Sequence, residues 1–191
     1  MNIVIFGSPG AGKGTQAKII AVEHGLSHLS SGQLSRQMLN NKQLGKKIKG
    51  YMDKGELIPN AIIIKIVKDY IEKNKREKGF IFDGYPRTLG QARELDKLAK
   101  QSKTRIGLVI NLKLDQQEAL KRILKRGKSS GRSDDNLKTI ETRLKVYKKL
   151  TEPILGYYKA NGILKEVDGR QSITKITKEI KKIIKEVEKK K

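Results

Sequence analysis

The sequence predicts a three-layer α/β fold on a mainly parallel, five-stranded sheet. Three observations predict it. Short apolar runs alternate with stretches of helical periodicity along the chain. Most of those runs are continuously apolar, as strands buried on both faces are. The first of them, Ile3 to Phe6, feeds straight into a glycine-rich turn and then a helix.

That first turn reads Gly7-Ser8-Pro9-Gly10-Ala11-Gly12-Lys13-Gly14-Thr15. Glycines let the backbone curl so that successive N–H groups converge on one point. A helix starting near Lys13 aims its unpaired N–H groups and positive dipole end at the same point. Lys13 adds a full charge, and the whole suits the terminal phosphates of a nucleotide. The pattern departs once from G-x-x-x-x-G-K-[ST]: Gly14 stands where a hydroxyl residue is expected, and Thr15 follows it.

The remaining elements follow in order. The first helix runs to about Glu23, with Ala17, Ile19, Ile20 and Ala21 as its apolar face and Gly25 as its stop. Residues 26–29 form a short second strand. A serine opens the helical stretch that carries Arg36. Gly45, Gly50 and Gly55 break residues 30–58 into short pieces, a helical excursion outside the sheet. Asn60 is expected to cap a helix over 61–73. Phe80 to Asp83 is an apolar strand ending in a carboxylate. The turn Gly84-Tyr85-Pro86-Arg87-Thr88 follows it. Ligands of open parallel sheets sit beyond the carboxyl ends of strands, which places Asp83 and Arg87 at the same edge as the P-loop.

A helix over 89–100, a strand over 105–112 and a helix over 115–126 come next. Arg122 and Arg126 are one turn apart on that last helix and share a face. Residues 127–136 are polar and glycine-punctuated, a loop. Helices over 137–150 and 152–160 and a strand over 162–167 lead to an amphipathic tail. Its predicted apolar face is Ile173, Ile176, Ile180, Ile183, Ile184 and Val187.

Composition bounds the chemistry. The chain has 191 residues, suited to one domain with small insertions, and no cysteine. Disulfides and thiolate metal sites are therefore excluded, and His24 and His28 are read as ordinary structural residues. The N-terminus runs into a strand, so no secretory leader is expected. No stretch reaches the roughly 20 apolar residues of a membrane span. A cytoplasmic protein is expected, with no membrane partner. The net charge of +23 attracts polyanions, but aromatics are only 5%, which is thin for base stacking. No dedicated nucleic-acid partner is expected.

With these motifs placed, the sequence resembles the nucleoside monophosphate kinases, and specifically the short-lid adenylate kinases. The resemblance covers essentially the whole chain. It rests on the P-loop with its Gly-Lys-Gly-Thr ending, on Ser31-Gly32 with Arg36, and on Asp83 to Thr88 with Gln91. Arg122 and Arg126, and Gly131 to Asn136 with Arg143, complete it. Gly14 thus fits this family better than other P-loop proteins.

The resemblance implies ATP + AMP ⇌ 2 ADP with Mg2+ and without zinc, by a monomer. It assigns residues 1–29, 59–126 and 136–191 to a core, 30–58 to a flap over the monophosphate and 127–135 to a short lid. Lys13, Arg87, Arg126, Arg132 and Arg143 would be catalytic. ATP would be held by Gly10, Ala11, Gly12, Lys13, Gly14, Thr15, Arg122, Arg126 and Gln171, with Arg122 stacking on the base. AMP would meet Ser31, Arg36, Glu56, Leu57, Ile58, Gly84, Tyr85, Pro86, Arg87, Gln91, Arg132 and Arg143. Asp83 would hold Mg2+ through water, with Thr15 nearby. Gln33 stands where the family usually has an aspartate near the metal, which weakens that hold. The short lid is also close to that of the UMP/CMP kinases. Gln91 favours AMP, because an amide offers both a donor and an acceptor to adenine. A basic P-loop protein that binds RNA is a third, weaker reading.

Overall fold

The computed structural model describes residues 1–130 and 136–189. Five strands form one sheet in the order β2-β3-β1-β4-β5: β1 Asn2–Gly7, β2 Ser27–Ser30, β3 Phe80–Asp83, β4 Ile106–Lys113 and β5 Leu164–Asp168. Every pairing is parallel, so "mainly" becomes "entirely".

The central strand shows why. Alternate side chains of a strand point to opposite faces. Ile3 and Ile5 enter one core with Ala17 and Ile20 of α1 (Lys13–His24) and Ile176, Ile180 and Ile184 of α9 (Ile173–Lys189). Val4 and Phe6 enter the other core. Their neighbours there come from α4 (Asn60–Lys73), α5 (Leu89–Gln101) and α8 (Pro153–Ala160). Both faces are dry, so no polar alternation is needed. Each buried isoleucine contributes about 1.5–3 kcal/mol.

Local signals explain most boundaries. Gly25 ends α1 with a left-handed φ of 62° and returns its N–H to Ala21 and Val22 carbonyls. Thr88 caps α5 by accepting the Gln91 N–H, and Asn136 caps α7 (Leu137–Val146) by accepting the Thr139 N–H. The excursion over 30–58 contains α2 (Ser31–Gln37), a 3-10 turn (Met38–Asn40) and α3 (Gly45–Lys54). Its far end is tied down: the Thr139 hydroxyl of α7 donates to the Asp53 carbonyl at 2.9 Å.

Several expectations are corrected. α6 spans Gln116–Ser130, so the helix continues past residue 126 into the predicted loop. Glycine at 127 weakens a helix but does not forbid one. The helix expected over 137–150 is α7 followed by a π-helical turn, Tyr147–Thr151, that joins it to α8. Ser30 and Asn60 make no capping bonds. The Ser30 position is extended without a side-chain bond, and Pro59 precedes α4. Ile173 is 57% exposed and outside the tail's buried face, because it is the first residue of α9 and lies beyond the sheet. Among the described residues no helix is long and apolar enough to cross a membrane.

Candidate active site

The carboxyl ends of β1, β2 and β3 meet at one edge. Asp83 ends β3 and lies in register with Ile5 of β1 and Ser30 of β2. Beyond that edge lies a cavity of about 680 Å³. The P-loop closes one end, where Gly10 and Gly12 take left-handed φ of 88° and 87°. A side chain would strain both turns. The Lys13 ammonium folds over the loop and donates to the carbonyls of Gly7 and Ser8, each at 2.9 Å. Burial lowers its pKa to about 8. Asp83 acts against that shift, while Arg87, Arg143 and Arg126 add to it.

Gly14 now has a reason. A Cβ there would lie 3.2 Å from Asp83 Oδ2. The missing side chain lets the carboxylate close against the phosphate loop. Burial pushes the Asp83 carboxyl up, but His28, Lys13 and Arg87 outweigh it and hold the group below the usual carboxylate range. His28, read from the sequence as an ordinary structural residue, lies beside that carboxylate. Its Nε2 lies 3.6 Å from Asp83 Oδ2, too far for a hydrogen bond, and it lines the cavity. The available signal was that β2 ends at the same edge as β3.

The other end of the cavity is built by the flap and by the turn after β3. Gly84 turns there with φ 74°, and a Cβ on it would fall 2.8 Å from the Ser31 hydroxyl and 3.0 Å from the Arg87 guanidinium. Its carbonyl accepts from Ser31 Oγ at 2.6 Å and from Arg87 Nε at 2.7 Å. The Thr151 hydroxyl, in the π-helical turn, donates to the Arg87 carbonyl at 3.0 Å. Arg87 is thus fixed by side chain and backbone together.

Among the predicted residues, Gly10, Gly12, Lys13, Gly14, Thr15, Ser31, Arg36, Glu56, Leu57, Ile58, Asp83, Gly84, Arg87, Gln91, Arg122, Arg126 and Arg143 line this cavity. Four depart from it. Ala11 and Tyr85 are in the cores, each 1% exposed. Pro86 borders a smaller cavity of about 60 Å³ behind the P-loop, which Arg143 also borders. Gln171 donates to Glu179 Oε2 at 3.1 Å and is not in the cavity wall. Arg132 lies outside the described residues. Lys18, Met52, Ile63 and Ile123 line the cavity without having been singled out. The last two sit among predicted positions, one turn after Asn60 and beside Arg122.

The chemistry of the wall is lopsided. Lys13, Lys18, Arg36, Arg87, Arg122, Arg126 and Arg143 face it, against Asp83 and Glu56. Guanidinium forks match phosphate oxygens, and clustered cations draw a polyanion in. Arg122 is held at one border by Glu118 (2.8 Å) and the Gly169 carbonyl (2.7 Å).

The adenylate kinase family model matches residues 5–163, P-loop and arginine cluster included. The chain belongs to the adenylate kinase family. Among its relatives, the adenylate kinase of Parabacteroides distasonis is 43% identical over 188 residues, covering 98% of this chain and 99% of that protein. That of Flavobacterium psychrophilum is 42% identical, covering 96% and 98%. The archaeal enzyme of Archaeoglobus fulgidus is 39% identical, covering 98% and 99%. These similarities give no support to the UMP/CMP kinase reading or to the RNA-binding one. They match the family that the P-loop ending and the spaced arginines pointed to, and its parallel P-loop fold.

Proposed function

We propose that the chain catalyses ATP + AMP ⇌ 2 ADP, with the P-loop end of the cavity holding ATP and the flap end holding AMP. The observation that carries this is one cationic cavity with two differently built ends. Lys13 and the loop N–H groups receive the ATP phosphates. Arg36 and Arg87 hold the AMP phosphate, and Gln91 meets its base. Arg126 and Arg143, between them, neutralise the phosphoryl group as it passes, with Arg132 of the lid joining them. Arg122 stacks on the ATP adenine. Phosphoryl transfer needs positioning and charge neutralisation more than covalent catalysis. No strong general base is required, because the AMP phosphate is already anionic.

Asp83 and Thr15 fit Mg2+ delivered with the nucleotide. One carboxylate and one hydroxyl leave the ion its waters and phosphate oxygens, as a small hard cation prefers. Bound there, Mg2+ would neutralise charge on the β- and γ-phosphates. Gly14 keeps Asp83 close to that position. Zinc is not invoked, since the chain has no cysteine. The flap (30–58) closes over the bound nucleotide and excludes water, which would otherwise hydrolyse ATP; the lid assigned to 127–135 lies partly outside the described residues. The enzyme works as a cytoplasmic monomer in adenine-nucleotide balance.

The test is a coupled assay with ATP and each of AMP, UMP, CMP and GMP. AMP is expected to be turned over fastest. Faster turnover of UMP or CMP would replace this reading with the pyrimidine one.

A further inference from the structure

Asn60 was expected to cap α4, and it does not. Its side-chain oxygen instead accepts from Thr88 and from Gln91. Gln91, 2% exposed, lies in the wall of the cavity with both ends of its amide engaged. Gln91 Oε1 accepts the Arg87 backbone N–H at 2.7 Å, and Gln91 Nε2 donates to Asn60 Oδ1 at 2.8 Å.

The polarity of this network is dictated by the backbone. A peptide N–H only donates. The Arg87 N–H therefore requires an oxygen from Gln91, which sends the Gln91 nitrogen toward Asn60. Asn60 must then present its own oxygen. Thr88 joins the same cluster. The Gln91 N–H donates to Thr88 Oγ1 at 3.2 Å, and the Thr88 hydroxyl donates its own hydrogen to Asn60 Oδ1 at 3.3 Å. The one backbone donor on Arg87 thus sets the direction of both amides, Gln91 first and Asn60 through it.

We propose that Asn60 is a specificity-positioning residue: the Arg87 N–H sets which way the Gln91 amide faces, and Asn60, by accepting from Gln91 Nε2, anchors the other end of that amide where it reads the acceptor base. This rests on the reading of Gln91 as the group that meets AMP. After the internal bonds, Gln91 retains one N–H and one oxygen lone pair. One donor beside one acceptor is the pairing that an adenine edge offers and a flipped amide would present in reverse. Asn60 touches no substrate in this role and acts through Gln91.

The experiment is steady-state kinetics with AMP, UMP, CMP and GMP for the wild type, Asn60→Leu, Asn60→Asp and Gln91→Leu, with melting temperatures for all four. Asn60→Leu removes the acceptor. It is expected to raise the KM for AMP by about fivefold and to erode the preference for AMP by the same factor. The KM for ATP should not move. Asn60→Asp keeps an acceptor oxygen at the same place and should behave as the wild type. The proposal is overturned if Asn60→Leu keeps its AMP KM and preference. It is equally overturned if Asn60→Asp fails as Asn60→Leu does, or if the ATP KM and melting temperature shift in step with the AMP KM. An unchanged AMP preference in Gln91→Leu would instead remove the base-reading role of Gln91, and the proposal with it. An AMP preference that depends on Gln91 but not on Asn60 would leave that role standing and sink only the positioning.

Discussion

The two ends of the cavity are built from different materials. The P-loop end is backbone: a loop with left-handed glycines, a helix N-terminus, and a glycine that yields space to Asp83. The flap end relies on side chains: Ser31, Gln91, Asn60 and Thr151 hydrogen-bond to one another or to the backbone of Gly84 and Arg87. A backbone site binds what any triphosphate shares, because every nucleotide carries the same phosphates. A side-chain network can be altered one atom at a time, and so it can choose between bases. The first kind tolerates almost no substitution. The second tolerates some at the cost of selectivity.

Breaking the P-loop end should have the largest effect. Lys13→Ala is expected to lower ADP formation by about a thousandfold or more, the scale of losing a charge-stabilising donor. Any attraction for RNA or heparin, measured in parallel, should scarcely change, because one lysine is a small part of a net charge of +23. If both are lost together, the cavity is not a dedicated nucleotide site. The same residue sharpens the contrast through pH. Its folded pKa of about 8 lies below the ordinary 10.5. Between those values the unfolded chain binds more protons than the folded one, so stability without nucleotide rises with pH across that window. Below about 8 the burial cost is fully present. Denaturant titrations of the wild type and Lys13→Met should diverge over this range, with only the wild type gaining.

A smaller effect is expected where the flap end borrows backbone strain. Gly84→Ala forces a side chain into a left-handed turn against Ser31 and Arg87. It should cost about 1–3 kcal/mol in denaturant unfolding and raise the KM for AMP more than that for ATP. Equal changes in both constants would mean that the two ends are not separable. The smallest expected effect is at the flap. Thr139→Val removes the bond to the Asp53 carbonyl and should cost about 1 kcal/mol. Hydrogen exchange should quicken in α3 and not in α1.

The sheet and the P-loop were readable along the chain because their causes are local. Continuous apolar runs specify strands buried on both faces. Gly7, Gly10, Gly12 and Lys13 specify a loop within nine residues of the N-terminal strand's end. Arg122 and Arg126 were readable as a pair one turn apart on a helix, and the other arginines that line the cavity were expected from the family resemblance. Where a side chain had a choice of partners, the sequence could not say which it takes. Asn60 has the chemistry of a cap and spends it on Gln91. Gln16, polar and in a helix, is 1% exposed because it donates to the Ile173 carbonyl and accepts from Thr177, both far along the chain. Gln171 faces Glu179, not the cavity.

The strand order, the proximity of His28 to Asp83 and the meaning of Gly14 share one cause. Each depends on which elements lie side by side across dozens of residues. Hydrophobic period, turn chemistry and charge are properties of neighbours in sequence, and they were enough to name the elements and the phosphate loop. Clearance, register and the direction of a hydrogen bond are properties of neighbours in space. Glycine at position 14 looks like a missing hydroxyl until the carboxylate of Asp83 is found 3.2 Å from where its Cβ would be.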